Sequence, residues 1–319
     1  VRGEVQAGES VQVGIATRDA GGNLRIRSEV ARGPDEALAA VEAAAKAAGT
    51  VAVGIGARVH PTAGDPLRLE SLDQPWPFNQ YAMDLLCIDQ LSTTQSRYPC
   101  KGGYAWQTAT GRNQIVAVID QGVDTTHPDL AGHVLPGARC LNTAATPCTP
   151  VAQTAPADRG DHGTHVAGVI SAAANNGIGI AGLAPGSMLL PVEVLTPNDG
   201  GTTTDVAAGI LWAVANGATV INMSLGADAD DPVLAAAVAE ANRLGVVEVA
   251  AAGNQGDGTD NPSPVTYPAA YPDVIGVGAA DYSRDLANFS SRGSWVDVSA
   301  PGSWVLSTLA AGGYGHMSG

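Results

Sequence analysis

The sequence predicts an α/β protein with a mainly parallel sheet and helices on both faces, preceded by a small α+β module. Three observations carry this. From residue 115 onward, short β-branched apolar runs alternate with segments of helical periodicity. The helical segments open on Thr, Asp or Pro and close on Gly, the residues that suit helix starts and stops. A stretch punctuated by Gly64, Pro66, Pro75 and Pro77 separates this region from the first 65 residues.

The bulk numbers bound the function. At 319 residues the chain can bury a large core, and 45% apolar with 15% charged residues is a globular balance. A net charge of −15 repels nucleic acid and anionic lipid. No apolar run approaches the roughly 18 residues of a membrane span. Neither nucleic acid nor a membrane is expected as a partner. Cys87, Cys100, Cys140 and Cys148 lack C-x-x-C spacing, so two disulfides in an exported protein are expected. Sequence neighbours would pair as Cys87–Cys100 and Cys140–Cys148, although four cysteines allow three connectivities. The sequence starts at Val1 without a signal peptide, so a secreted location is an inference from the cysteines.

Taken in order, residues 1–65 form the module, 66–80 the linker and 81–319 the main domain. In the module, Val11–Ala16 alternates as a strand, Pro34–Ala48 is helical with Gly49 just past its end, and Val51–Ile55 is a second strand. In the main domain, Ile115–Ile119, Met188–Val194, Ala218–Ser224, Val246–Ala251 and Val274–Ala279 read as buried strands. Thr203–Asn216 carries an apolar stripe through Val206, Ile210, Leu211 and Val214, and a further helix runs from Pro232 to Leu244 behind Asp231. Glu248 interrupts an otherwise apolar strand. A buried, unpaired carboxylate is costly or titrates to neutral, so an open sheet edge or a partner elsewhere would have to accommodate it.

The chemistry gathers where the strands end. In parallel sheets, ligands bind beyond the carboxyl ends of the strands. Asp120 closes one strand, Ser224-Leu225-Gly226 follows another, and Asn254 follows a third. His162 opens the helical segment Asp161–Gly168, whose Gly163 and Gly168 allow backbone to approach backbone. Singly, Asp120 and Asn254 are ordinary turn residues, and His162 with His165 has the spacing of two metal ligands. Together, Asp, His and Asn point to one site.

The segments Val118–Asp124, Asp161–Gly168, Val220–Gly226 and Ala250–Gly256 resemble the ordered signature blocks of subtilisin-like serine proteases. Tyr267–Ile275, Phe289–Gly293 and Ser299–Gly302 continue the likeness, which runs from about residue 76 to the end. The first 60 or so residues are similar, more weakly, to that family's inhibitory propeptide. The resemblance implies a subtilisin-like fold and a secreted serine endopeptidase acting on peptides or proteins. In it Asp120 orients the imidazole, His162 is the general base, and Asn254 donates into the oxyanion hole. His165 would be structural. Ser224, Leu225 and Gly226 match the substrate-binding strand, with Asp199-Gly200-Gly201 on the peptide's other side. Gln255, uncharged beside Asn254, argues against strong selection for a basic side chain. The N-terminal module would act as an intramolecular inhibitor. A structural Ca²⁺ is also implied, held by Asp129, the Asn176 amide and the carbonyls of Ala174, Ile178 and Ile180.

One departure matters. The family's nucleophile is the serine of Gly-Thr-Ser, and Gly319 matches its Gly, so Thr and Ser would be the next two residues. Ser318 lies three places too early and has no following helix to position it. This chain alone is therefore expected to be inactive. The rival readings are a pseudoprotease or zymogen fragment that binds peptide without turnover, and a metal hydrolase using His162 and His165.

Overall fold

The computed structural model describes residues 10–18, 24–32, 34–47, 50–55, 105–141, 148–151, 160–196 and 200–319. The linker at 66–80, the Cys87–Cys100 pair and Asp199 lie outside these residues. In the N-terminal module, β1 (Ser10–Arg18) pairs antiparallel with β2 (Leu24–Arg32) and with β3 (Thr50–Ile55). The helix α1 (Pro34–Ala45) joins β2 to β3. β2 was not foreseen, because its alternation of Leu24, Ile26 and Val30 is broken by Ser28 and crowded by charge.

The main sheet comprises β4 (Ile115–Asp120), β5 (Gly137–Arg139), β6 (Thr149–Val151), β7 (Met188–Glu193), β8 (Val220–Met223), β9 (Val247–Ala251), β10 (Val274–Ala280) and β11 (Val298–Pro301). Its order is β11-β10-β9-β8-β4-β7-β5-β6. Every neighbouring pair is parallel except β5–β6 at one edge. Among the described residues three helices cover it: α2 (Asp161–Ser171), α3 (Thr203–Ala215) and α4 (Pro232–Arg243). α3 starts where the Thr202 hydroxyl accepts from the Asp205 N–H, and α4 where the Asp231 carboxylate accepts from Val233 and Leu234. Gly217 and Gly245, at φ 86° and 82°, turn the chain out of each helix into the next strand.

Alternation along the strands sends side chains to two layers. Ile119, Val192, Ile221, Met223 and Val274 pack with Val206, Ile210, Leu234 and Val238 of α3 and α4. On the opposite face Val118 and Leu189 meet Ala167 of α2 and Leu306. Leu306 belongs to β12 (Val305–Leu309), which forms an antiparallel hairpin with β13 (Gly313–Met317) that the sequence reading did not anticipate. Glu248 enters the layer under α3 and α4 as a carboxyl among apolar side chains. It sits on an interior strand between Ile221 and Val274, 1% exposed, and neither carboxyl oxygen has a hydrogen-bond partner among the described residues. Neither an open edge nor a described partner accommodates it.

α2 seats on the turn after β4 through glycine. A methyl on Gly163 would run into the Gly122 carbonyl oxygen and stand 3.2 Å from Asp120 Oδ1. Gly163→Ala therefore forces a backbone shift. We expect overpacking to cost at least about 1–3 kcal/mol and to lower the Tm by several degrees. An unchanged thermal transition would mean that α2 does not rest on this turn.

Candidate active site

The sheet order decides what meets at the rim. β9, β8, β4 and β7 are consecutive parallel neighbours, so the segments leaving their carboxyl ends emerge side by side. Those segments carry Asn254 after β9, Ser224-Leu225-Gly226 after β8, Asp120 closing β4, and Gly200 after β7. α2 supplies His162 from above the turn following β4.

Asp120 and His162 are in direct contact. His162 Nδ1 lies 2.8 Å from Asp120 Oδ1 and 2.9 Å from Oδ2. The carboxylate is wholly buried, whereas the imidazole is 42% exposed, so one end of the pair is fixed and the other faces the rim. Asp120 Oδ1 also accepts from the Gln121 N–H at 2.7 Å, which ties the carboxylate to the turn. A carboxylate accepts, so Nδ1 carries the proton and Nε2 the lone pair. The hydrogen bond to Asp120 holds the His162 pKa above its ordinary 6.5, against the opposing effect of burial.

The first turn of α2 is tied down by long-range bonds. Thr164 Oγ1 accepts from the Asp124 N–H, and Thr308 Oγ1 donates to the Thr164 carbonyl at 2.8 Å. Ser307 Oγ donates to the His165 carbonyl at 2.7 Å, and the Ala310 N–H donates to Asp161. His165 Nε2–H donates to the Val305 carbonyl at 2.9 Å, and burial holds that imidazole below the ordinary histidine range. The two imidazoles thus face different partners and do not converge as metal ligands. Ser307 and Thr308 escaped the sequence reading. Their signal was a polar pair inside an apolar strand, matched to Gly168, where a methyl would strike both hydroxyls.

Asn254 has an exposed side chain beside Gly253, whose φ is 108°. A methyl built on Gly319 would lie 3.7 Å from Asn254 Nδ2, so the 319 position reaches the same rim. Gly319 N–H donates to the Gly302 carbonyl, and Ser318 Oγ accepts from Trp304 N–H at 2.9 Å. Ser224 Oγ accepts from Asn222, Leu225 is half-buried and Gly226 is exposed. Gly200, at φ 66°, is exposed and its carbonyl accepts from Thr196 N–H. Thr266 was missed by the sequence reading. Its methyl closes on Gly226, while its hydroxyl would lie 2.7 Å from a methyl at Gly253, so it bridges the segments bearing Gly226 and Asn254. Next to Asn254, the exposed Gln255 Nε2 donates to Asp228.

The candidate cation loop surrounds Asp129, which is wholly buried. Its Oδ1 accepts from Asn176 Nδ2 at 2.7 Å, and Oδ2 from Ile180 N–H at 2.8 Å and Tyr314 Oη at 3.3 Å. Asn176 Oδ1 in turn accepts from Ile178 N–H. Burial pushes the Asp129 carboxyl up, with the Ile180 bond opposing. Among the described residues no group of three or more His, Cys, Asp or Glu could hold a metal. A cation here would rely on Asp129 together with the Asn176 amide and the carbonyls of Ala174, Ile178 and Ile180.

A family model described as the subtilase family matches residues 111–319. The thermophilic serine proteinase of Bacillus sp. (strain AK1) is 45% identical over 217 residues, 68% of this chain and 51% of that protein. Thermitase of Thermoactinomyces vulgaris is 42% identical over 215 residues, 67% of this chain and 72% of its own. The chain thus spans about half the length of the first relative and nearly three quarters of the second. Among solved structures, a protease of Pseudoalteromonas arctica superposes with a TM-score of 0.59 at 33% identity, covering 67% of this chain and 75% of that one.

The contact between Asp120 and His162 has a direct readout. Asp120→Asn leaves an amide oxygen but removes the negative charge that strengthens the hydrogen bond and raises the His162 pKa, so the NMR titration of His162 should move to lower pH. A titration identical to the parent's would mean that another group governs the ring.

Proposed function

The chain belongs to the subtilase family, and on that premise we propose that the full-length protein is a serine endopeptidase that cuts peptide bonds by acyl transfer. The contact of Asp120 with His162 Nδ1 at the strand rim carries this reading. Asp120 holds the ring in the tautomer whose Nε2 accepts a proton, and stabilises the imidazolium that follows. His162 Nε2 takes the proton of a serine hydroxyl and returns it to the leaving amine. Asn254 donates to the oxygen on which negative charge develops. The nucleophile we propose is the serine of a Gly-Thr-Ser that begins at Gly319, and the nearness of Gly319 to Asn254 supports that placement. A polypeptide ending at Gly319 would then be inactive by itself.

An extended peptide would lie across the end of β4, between Gly200 and Ser224-Leu225-Gly226, held by backbone hydrogen bonds. The slot between Gly226 and Gly253, narrowed by Thr266, favours a short side chain next to the cut bond. The antiparallel strands and helix of residues 10–55 suit a propeptide that inhibits its own catalytic domain. The Cys140–Cys148 disulfide supports an exported protein.

The residues around Asp129 also fit a structural Ca²⁺. A buried carboxylate met only by neutral donors, on a loop rich in carbonyl oxygens, suits a hard cation. Asn176 would exchange its N–H bond to Asp129 for oxygen ligation, and the cation would lock the loop against α2.

Labelling, hydrolysis and thermal unfolding test these proposals. In the full-length protein a fluorophosphonate should label one serine, and His162→Ala should abolish both labelling and peptide hydrolysis. Asn254→Ala should lower kcat by about 10²–10³, the loss found when the corresponding donor is removed from subtilisin. Peptide binding without turnover, retained in His162→Ala, would instead mark a pseudoprotease. For the cation, EDTA should lower the Tm, Ca²⁺ should restore it, and Asp129→Asn should make the transition insensitive to both. A Tm indifferent to EDTA would remove the calcium proposal.

A further inference from the structure

The site leaves Glu248 unused, and among the described residues its surroundings offer nothing to pair with a charge. Its ladder neighbours are Ile221 on β8 and Val274 on β10, and both belong to the core that α3 and α4 cover. Paired residues of a ladder share a face, so the carboxyl enters that core. β8 and β10 carry no titratable side chain. From α4 the inward residues are Leu234, Ala237, Val238 and Ala241, while Glu240 and Arg243 pair with each other at the surface, 2.6 Å apart. Asp205 of α3 lies in its first turn. Tyr271, also in this core, directs its hydroxyl to the Asp231 carbonyl. Both Glu248 oxygens are buried without a hydrogen bond among the described residues.

We propose that Glu248 is an alkali-sensitive latch: the fold accepts its carboxyl only as the neutral acid, and deprotonation loosens the strand that leads to Asn254. Burial alone pushes the carboxyl up to about 8. An unfolded glutamate ionises near about 4.3. The folded value is the higher one, so the stability held with this proton is complete below the unfolded value. It drains away as pH rises, and is gone above about 8. With one proton separating the two states, the unfolding constant rises about tenfold per pH unit across that window. β9 ends at Ala251, three residues before Asn254, so opening there takes the rim apart. The latch acts on the folding equilibrium, whatever chemistry the rim performs.

The test is denaturant unfolding of the full-length protein between about pH 5 and 9, in a His162→Ala background that prevents self-digestion. Glu248→Gln keeps the shape and cannot ionise, so its stability should lack the decline, and the gap between the two proteins should widen about tenfold per pH unit up to about 8. Glu248→Val should fold and resist denaturant better than the parent at alkaline pH. Parallel pH profiles for parent and Gln variant would overturn the proposal. So would a Val variant that fails to fold or is weaker than the parent at pH 8, since the carboxylate would then be making a contact the fold needs.

Discussion

The structure depends on one hydrogen bond between a wholly buried carboxylate and a half-exposed imidazole, Asp120 to His162. A carboxylate at the end of a central strand is expensive to bury unless its lone pairs are filled. The Gln121 N–H and His162 Nδ1 fill them, so the group that costs most to desolvate is also the group that aims the ring. The surrounding arrangement follows from keeping that contact. α2 must start beside β4, its backbone must come close, and something on its far side must hold it there.

Small residues and hydroxyls meet those needs. Gly163 lets α2 touch the turn after β4, and Gly168 lets β12 approach from the other side. Ser307 and Thr308 then bond to carbonyls in the first turn of α2, and His165 bonds back to Val305. The second histidine of the motif thus serves the first by fixing the helix that carries it. Its neighbourhood disfavours charge, whereas that of His162 favours it. Two imidazoles one helical turn apart are divided in chemistry by what each ring faces.

Three buried acids show how differently one fold treats carboxyl groups. Glu193 is paired bidentately with Arg139, at 2.9 and 3.1 Å. Asp129 is wrapped by neutral donors from a tight loop, an arrangement suited to a cation. Glu248 has neither kind of partner among the described residues and is kept in its neutral form. The charge each can hold at a given pH follows from its partners, not from its depth alone.

Much of this was legible in the chain itself. The alternation of apolar runs with capped helical segments is local and periodic, so it predicted β4, β7–β10, α3 and α4 to within a few residues. Asp120, Asn254 and Ser224–Gly226 could be placed at strand ends because parallel strands end together. Other features lay beyond the sequence because they depend on approaches between distant residues. The Asp120–His162 contact, which only the family resemblance implied, spans 42 positions and the His165–Val305 bond 140, and no local pattern of residues carries such a distance. The β12–β13 hairpin, the turn of Asn176 toward Asp129 and the solitary burial of Glu248 belong to the same class. Residue type and spacing determined which groups could react or bind. Packing decided which nitrogen holds the proton, which acid is paired, and which must stay uncharged.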